Sequence, residues 1–271
     1  MILAIDIGNS NIVLGLFDGE ELIDQTRVST EIRKTADEYG ILISSILKLR
    51  AEVRVRIRGV IISSVVPPLT PIFNEMAKKY FDLEPINVGP GLKTGLSIGY
   101  DDPRQVGADR VVNAVAAERI YGTPCIIVDF GTAVTFCAVD KNKRYLGGAI
   151  FPGMKTAYDA LADKAARLPR IGFAKPGKAI GRSTEESMVS GAVYGYAGMT
   201  DALVRRFKME LGGEAKVIAT GGMIEYISPY AETIDVVDKD LTLKGLLMLY
   251  TMNQVNVMEM SGLQAEKPPP G

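Results

Sequence analysis

The sequence predicts an α/β fold made of two similar halves, each a mixed sheet flanked by helices. Two apolar segments rich in β-branched residues are interrupted by an Asp-X-Gly turn, one at the amino terminus and one near residue 129. Each segment continues into a polar turn and a third strand-like run, followed by alternating helical and strand-like patterns. A repeat this long lies outside the usual solenoid periods and indicates a duplicated architecture. We place the halves at residues 1–122 and 123–255.

The first turn lies in MILAIDIGNSNIVLGLF, residues 1–17. Asp6 falls at the end of the first strand-like run, and Gly8 lets the backbone approach a ligand closely. The Asn and Ser side chains that follow can donate hydrogen bonds. A carboxylate beside phosphate-binding amides requires a metal or its bound waters between them, and Mg²⁺ retains such waters. An ordinary hairpin turn is the alternative for this segment alone.

The second turn lies in PCIIVDFGTAVTFCAV, residues 124–139, where residues 129–132 align with residues 6–9. Two Asp-Gly turns that face each other across a cleft between the halves would hold a magnesium–nucleotide complex. The repetition therefore favours a nucleotide site over two unrelated hairpins.

Composition excludes several classes of function. A net charge of −1 gives no electrostatic reason to expect nucleic acid or an anionic membrane as a partner. No secretory leader pattern and no apolar run of ~18 residues is present, so we expect no membrane span and a cytoplasmic protein. The chain has no histidine, which excludes Ser-His-Asp and Cys-His catalysis and histidine-ligated zinc. We expect Cys125 and Cys137 to be reduced core thiols.

The remaining elements are predicted from hydrophobic periodicity and from the Gly and Pro residues that interrupt it. Strands are predicted at residues 59–66, 85–88 and 216–220, and helices at residues 35–49, up to about 80, from about 109 to 122, and at 153–167, 183–211 and 241–254. Arg54, Arg56 and Arg58 alternate along one run; a solvated strand face is favoured there over an anion site. The tail, residues 256–271, is predicted to be disordered.

Two glycine-containing loops do not qualify as known phosphate loops. Residues 89–95 lack a complete Gly-x-Gly-x-x-Gly and do not open directly into a helix. Residues 172–179 have Ala179 where a Walker A loop needs Ser or Thr, and no strand leads into them. Asp109 is more informative, because it lies in the first turn of a helix, where the free amides and the dipole favour an ionised carboxylate. Helix capping is the alternative role for Asp109.

A long helix from about residue 183 opens with a capping box, Ser183 and Glu186. It carries a stripe of small residues that includes Ser190, Gly191, Gly195 and Gly198. Glycine inside a helix costs about 1 kcal/mol relative to alanine, so the stripe should serve close packing. Packing within the chain and packing against a second subunit remain equally open.

Five motifs in order resemble the type III pantothenate kinases, the family once called Bvg accessory factors. They lie at residues 6–11, 89–95, 107–110, 129–133 and 219–222, and the resemblance covers residues 1–255. It implies duplicated ribonuclease H-like halves of the actin-like ATPase kind with an interdomain cleft. The implied activity is ATP-dependent phosphorylation of pantothenate to 4′-phosphopantothenate, the first step of coenzyme A biosynthesis.

The resemblance also implies roles for individual residues. Asp109 is the implied catalytic base, and Asp129 the implied ligand of a monovalent cation, K⁺ or NH₄⁺, with Mg²⁺ bound to ATP. The implied ATP contacts are Asp6, Ile7, Gly8, Asn9, Ser10, Asn11, Ile12, Val13, Thr132, Gly221 and Gly222. The implied pantothenate contacts are Tyr100, Gly107, Ala108, Asp109, Arg110 and Thr184. A homodimer is implied, with the pantothenate pocket close to its interface.

Two other functions remain open from the residues. A sugar or acetate kinase of the same superfamily would carry the same paired Asp-Gly turns, as would a nucleotide-binding regulator that catalyses nothing. Only the block from residue 89 to residue 110 separates these hypotheses, and it favours pantothenate.

Overall fold

A computed structural model describes residues 1–50 and 56–260 of the chain. The described residues form two compact units that are not continuous in sequence. Unit 1 contains Met1–Gly95, Gly107–Val115 and the residues from Thr242 onward, and unit 2 contains Leu96–Val106 and Ala116–Leu241. The division of the repeat at residue 122 stays a prediction.

Unit 1 is built on a five-stranded mixed sheet. Its strands are β1 (Ile2–Ile7), β2 (Asn11–Asp18), β3 (Glu21–Ser29), β4 (Gly59–Ser64) and β5 (Ile86–Asn87). Their order is β3-β2-β1-β4-β5, in which β1 to β3 form an antiparallel meander and β4 and β5 add in parallel. The apolar alternation of β1 puts Leu3, Ile5 and Ile7 on one buried face. Helices α1 (Ala36–Arg50) and α2 (Leu69–Phe81) supply the other side of that core.

Unit 2 is built on a second mixed sheet. Its strands are β6 (Ser97–Ile98), β7 (Cys125–Phe130), β8 (Ala133–Val139), β9 (Arg144–Pro152), β10 (Lys216–Thr220) and β11 (Val236–Val237), in the order β11-β10-β7-β8-β9-β6. The order β9-β8-β7-β10-β11 repeats that of unit 1, with β6 added at one edge. The predicted duplicated α/β fold is confirmed.

Four further helices lie in the segments that connect strands: α3 (Ala108–Tyr121), α4 (Met154–Lys164), α5 (Thr184–Glu210) and the short α6 (Ile224–Ile227). The last helix, α7 (Leu241–Met260), packs on the second face of the unit 1 sheet. A Cβ at Gly15 would lie 2.9 Å from Leu243 Cδ1, and one at Gly59 would meet the Tyr250 ring. The sheet of unit 1 is therefore covered on both faces.

Most predicted elements are confirmed, and the differences have local causes. The Ser183 hydroxyl accepts a hydrogen bond from Glu186 N at 3.1 Å, but the Glu186 carboxylate accepts from Arg182 N, one residue before the cap. Arg56 and Arg58 are exposed but precede β4 in an irregular segment, and Arg54 lies outside the described residues. Helix α7 continues to Met260, so the predicted tail begins too early; its residues 261–271 are also outside the described part.

Both cysteines are buried and neither forms a disulfide, as predicted. Burial raises the pKa of the Cys125 thiol to about 12, and the Cys137 sulfur lies 3.3 Å from the Tyr145 hydroxyl. These thiols belong to the core of unit 2. Among the described residues, no helix has the length and apolar character that crossing a bilayer demands.

Candidate active site

The first Asp-Gly turn joins β1 to β2 and is held from the end of β3. Gly8 N donates to Asn11 O at 3.0 Å, which closes the turn. The Thr30 hydroxyl donates to Gly8 O at 2.6 Å, and Thr30 N donates to Ser10 O at 3.1 Å. Asn9, Ser10 and Asn11 are exposed. Because its carbonyls are engaged by β3, the turn is fixed in position while its polar side chains reach solvent.

The second Asp-Gly turn joins β7 to β8 and is one residue shorter. Gly131 N donates to Ala133 O at 3.1 Å. The Thr132 carbonyl accepts from Gly153 N at 3.0 Å and from the Thr156 hydroxyl at 2.9 Å. The turn is thereby fixed to the start of α4, and Thr132 itself is exposed.

The Gly221–Gly222 turn follows β10, which lies parallel to β7 with Thr220 paired to Asp129. Gly221 has φ +98°, a region that favours glycine. A Cβ there would lie 2.5 Å from Asp129 Oδ1 and 2.5 Å from Phe130 N. Met223 N also donates to Phe130 O at 3.3 Å. The structure therefore brings Asp129, Thr132, Gly221 and Gly222 together at the carboxyl ends of two parallel strands, where α/β proteins bind ligands.

Asp109 is the second residue of α3, and it is half-buried. Gly107 O accepts from the amides of residues 110 and 111, so Gly107 occupies the N-cap position, and a capping role for Asp109 within the first turn stays open. Asp109 Oδ1 accepts from Arg110 N at 2.8 Å. Burial raises the pKa of Asp109, while the Arg110 amide and the Arg110 charge oppose that rise. A Cβ at Gly107 would lie 2.5 Å from the same Oδ1, so the carboxylate packs against the glycine.

The predicted pantothenate contacts are divided between the units. The block 107–110 belongs to unit 1, with the first Asp-Gly turn, whereas Tyr100 and Thr184 belong to unit 2. Thr184 lines a cavity of about 650 Å³ together with Tyr158, Arg182 and Met188. Tyr100 is not among the residues that line this cavity; its ring lies 6.3 Å from that of Tyr145.

The sequence analysis did not identify one residue that fixes the loop 89–95. Asn253, buried on α7, accepts from Lys93 N at 3.0 Å and donates to Lys93 O at 2.9 Å. The loop 89–95 is thereby fixed to α7 by a side chain 160 residues away. The only sign of this role in the sequence is a polar residue near the end of an apolar helix. Sequence spacing cannot identify Lys93 as its partner.

Each of the two Asp-Gly turns, taken by itself, carries groups that could contact a hard cation or a phosphate. No group of three or more His, Cys, Asp or Glu side chains within the described part of the chain could hold a metal ion by itself. Single carboxylates at Asp6 and Asp129, beside hydroxyls and main-chain amides, fit hard cations that complete their coordination with water or substrate phosphates. The residues present therefore fit a nucleotide-bound Mg²⁺.

Solved structures with this fold include kinases. The chain aligns with a Baf family transcriptional activator from Campylobacter jejuni at TM-score 0.55 and 20% identity, over 94% of this chain and 99% of that one. It also aligns with a ROK family glucokinase from Streptomyces griseus in complex with glucose and AMPPNP, at TM-score 0.52 and 14% identity, over 92% and 98% of the two chains. At these identities the likeness establishes the fold.

Sequence comparison identifies the family. Residues 2–206 match the family model described as type III pantothenate kinase. A type III pantothenate kinase from an Exiguobacterium species is 52% identical over 254 residues, which cover 94% of this chain and 100% of that protein. The range matched by the family model contains both Asp-Gly turns and Asp109. The chain therefore belongs to the type III pantothenate kinase family.

Proposed function

We propose that this protein transfers the γ-phosphoryl group of ATP to the primary hydroxyl of pantothenate, and that Asp109 accepts the proton. The product is 4′-phosphopantothenate, and the reaction is the first step of coenzyme A biosynthesis. The 52% identity to a type III pantothenate kinase over nearly the whole chain is the observation that carries the activity. The two free thiols also agree with a cytoplasmic location, which is part of the proposal.

Asp109 suits the role of base because of its environment. Phosphoryl transfer passes through a loose transition state, so the protein mainly positions the alcohol and accepts its proton late. Burial raises the pKa of Asp109, which brings the carboxylate closer to the operating pH of a general base. The positive end of the α3 dipole favours an anionic group near the start of the helix. We assign Gly107, Ala108 and Arg110 to this pantothenate subsite, with Tyr100 and Thr184.

The two Asp-Gly turns are the proposed phosphate contacts of ATP. The first turn is fixed through its carbonyls, and its residues Asn9, Ser10 and Asn11 are exposed to solvent. In the second turn Thr132 is similarly exposed on a fixed backbone. The flat Gly221–Gly222 surface fits the adenosine part. Mg²⁺ would be held between the ATP phosphates and the Asp6 carboxylate, where it would neutralise the charge that develops during transfer.

Asp129 is the proposed ligand of a monovalent cation, with K⁺ or NH₄⁺ as candidates. We expect wild-type activity to rise with KCl and NH₄Cl but not with choline chloride at equal ionic strength. Asp129→Asn removes the negative charge and should abolish that response, with at least a tenfold increase in the KM for ATP. Initial rates across a salt series measure both effects. A salt response that is the same in the variant and the wild type would contradict the assignment.

The activity itself is tested by ADP release with a panel of alcohols and acids. Pantothenate is expected to give turnover in the presence of Mg²⁺, whereas glucose, N-acetylglucosamine and acetate should give rates at background. Turnover of a sugar or acetate in place of pantothenate would indicate another kinase of the same fold. ATP binding without turnover of any compound would indicate a nucleotide-binding regulator.

We also propose a homodimer in which α5 packs against its copy. Gly191 already has an intrachain neighbour, because a Cβ there would lie 3.1 Å from the Tyr158 hydroxyl. A Cβ at Gly195 or Gly198, by contrast, would meet no described atom within 4 Å, and both residues are exposed. Packing within the described chain therefore does not account for these two glycines, although each costs about 1 kcal/mol of helix propensity. A second helix at close range would account for them.

Gly195→Leu is expected to shift the dimer to monomer without unfolding it. The leucine restores helix propensity and has space within the subunit, so the melting temperature of the monomer should be maintained. Sedimentation velocity measures the mass of the species. Ser45→Leu, at an exposed position of α1, is the matched control and should remain dimeric. A Gly195→Leu protein with the mass of the wild-type dimer would disprove this interface.

A further inference from the structure

Strand β9 has an irregularity next to Tyr100. Its pairing with β8 runs from Ala138–Gly147 directly to Val139–Tyr145, so Leu146 is an extra residue on β9. Bulges of this kind bend a strand and redirect its side chains, and they are common beside active sites. Tyr145 is fully buried, Leu146 is exposed, and Gly147 has φ +121°.

The segment that carries Tyr100 is fixed to the same part of β9. Strand β6 pairs in parallel with Arg144 and Tyr145. Gly99 N donates to Tyr145 O at 2.7 Å, immediately before Tyr100. A Cβ at Gly99 would lie 2.5 Å from Arg144 Nε and 3.0 Å from Tyr145 O, so the close approach depends on glycine. The backbone at Tyr100 is therefore positioned by β9.

The Tyr100 ring, which is half-buried, lies against the bulge itself. A Cβ at Gly147 would lie 3.1 Å from Tyr100 Cε2 and 3.4 Å from Cδ2, so the ring rests directly over the glycine. The Tyr145 ring lies alongside, with a centroid distance of 6.3 Å and an interplanar angle of 53°. Tyr145 is in turn held by its hydroxyl, 3.3 Å from the Cys137 sulfur. A Cβ at residue 147 would therefore require the ring to shift by a few tenths of an ångström.

We infer that Gly147 is a positioning residue, which together with the bulge at residues 145–147 holds the Tyr100 ring in place for pantothenate. The inference rests on the proposed function, which assigns Tyr100 to the pantothenate subsite. A ring that is already in place when the substrate arrives loses little conformational freedom on binding. Gly147 therefore acts on pantothenate affinity through Tyr100 and touches neither substrate.

Steady-state kinetics of full-length Gly147→Ala test this inference. We expect the KM for pantothenate to rise about tenfold, with kcat and the KM for ATP within twofold of wild type. Gly213→Ala is the matched control, because Gly213 has φ +120° and a Cβ there would meet nothing within 4 Å. The control should lose similar stability from backbone strain while its KM for pantothenate stays unchanged.

A double-mutant cycle separates positioning from a general structural effect. In a Tyr100→Ala background, Gly147→Ala should raise the KM for pantothenate less than twofold further, since the ring is gone. Gly99→Ala displaces the same segment without a positive φ, and it replaces Gly147→Ala in the cycle if that variant does not fold.

The outcomes are distinguishable. Effects that multiply in the double variant, or an unchanged KM in Gly147→Ala, would overturn this inference while wild-type turnover still supports the proposed function. A wild-type protein that does not phosphorylate pantothenate would overturn both.

Discussion

Replacing Asp109 with asparagine is expected to lower kcat about a thousandfold and to leave the folded protein at least as stable as the wild type. The loss of rate follows from the removal of a general base, which contributes about 10²–10⁴-fold. Stability should be maintained because asparagine can still accept the hydrogen bond from Arg110 N, at 2.8 Å in the wild type. The substitution also removes a buried charge whose pKa is raised by burial. Rapid-quench kinetics and thermal melting measure the two effects.

Both stability and activity should depend on pH through the ionisation of Asp109. Because the pKa of Asp109 is higher in the folded than in the unfolded chain, its contribution to stability is fully present below the unfolded value, ~3.9, and is lost as pH rises through the folded value. The Asp109→Asn variant should not lose this contribution to stability as pH rises. Wild-type kcat/KM for pantothenate should fall on the acid side at a pH above the usual aspartate range.

Asp101→Asn is the control for these measurements. It makes the same chemical change at an exposed carboxylate eight residues earlier, and it should retain wild-type turnover and the wild-type pH profile. An Asp109→Asn protein with a kcat within tenfold of wild type would show that Asp109 is not the base.

Gly221→Ala is expected to give the second large effect, the loss of ATP binding with lower stability. The added Cβ would collide with the Asp129 carboxylate and with the Phe130 main chain. Since Phe130 N cannot move without disturbing the pairing of β7, either the strands separate or the turn is displaced. We expect the affinity for a magnesium–ATP analogue, measured by calorimetry, to fall at least thirtyfold, and the free energy of unfolding to fall by about 3 kcal/mol.

Gly212→Ala separates backbone strain from collision. Gly212 has φ +94°, close to the +98° of Gly221, but a Cβ there would meet nothing within 4 Å. The control should lose stability through strain alone and retain nucleotide affinity. Equal losses of stability in the two variants, with nucleotide affinity kept in Gly221→Ala, would contradict the packing of the Gly221 turn against Asp129.

The sequence predicted the repeated sheet because the signal is local. Apolar runs around Asp6 and Asp129 carry the alternation and the turn residues of paired strands, so the meanders β1 to β3 and β7 to β9 follow directly. Helix α5 followed from the Ser183 cap and the long apolar period. The sequence could not separate the two roles of Asp109: Gly107 provides the N-cap carbonyl, while the Asp109 carboxylate accepts from a first-turn amide.

Long-range contacts could not be predicted in the same way. Asn253 fixes the loop 89–95, and Gly147 supports Tyr100, through contacts between residues far apart in the chain. In both cases the informative quantity is the space around an atom, which residue type and spacing do not determine. Bulges have the same difficulty, since the extra residue at Leu146 changes no composition and leaves the apolar pattern of β9 intact.

The position of α7 has a consequence for how the protein is made. The sheet of unit 1 is formed by residues 1–95, which are synthesised before most of unit 2, yet one face of it is covered by Leu243 and Tyr250, which are synthesised after unit 2. During translation that apolar face stays uncovered until unit 2 has been synthesised. At about 5–20 residues per second, this interval lasts many seconds. We therefore expect this sheet to expose apolar surface on the nascent chain until α7 has been synthesised.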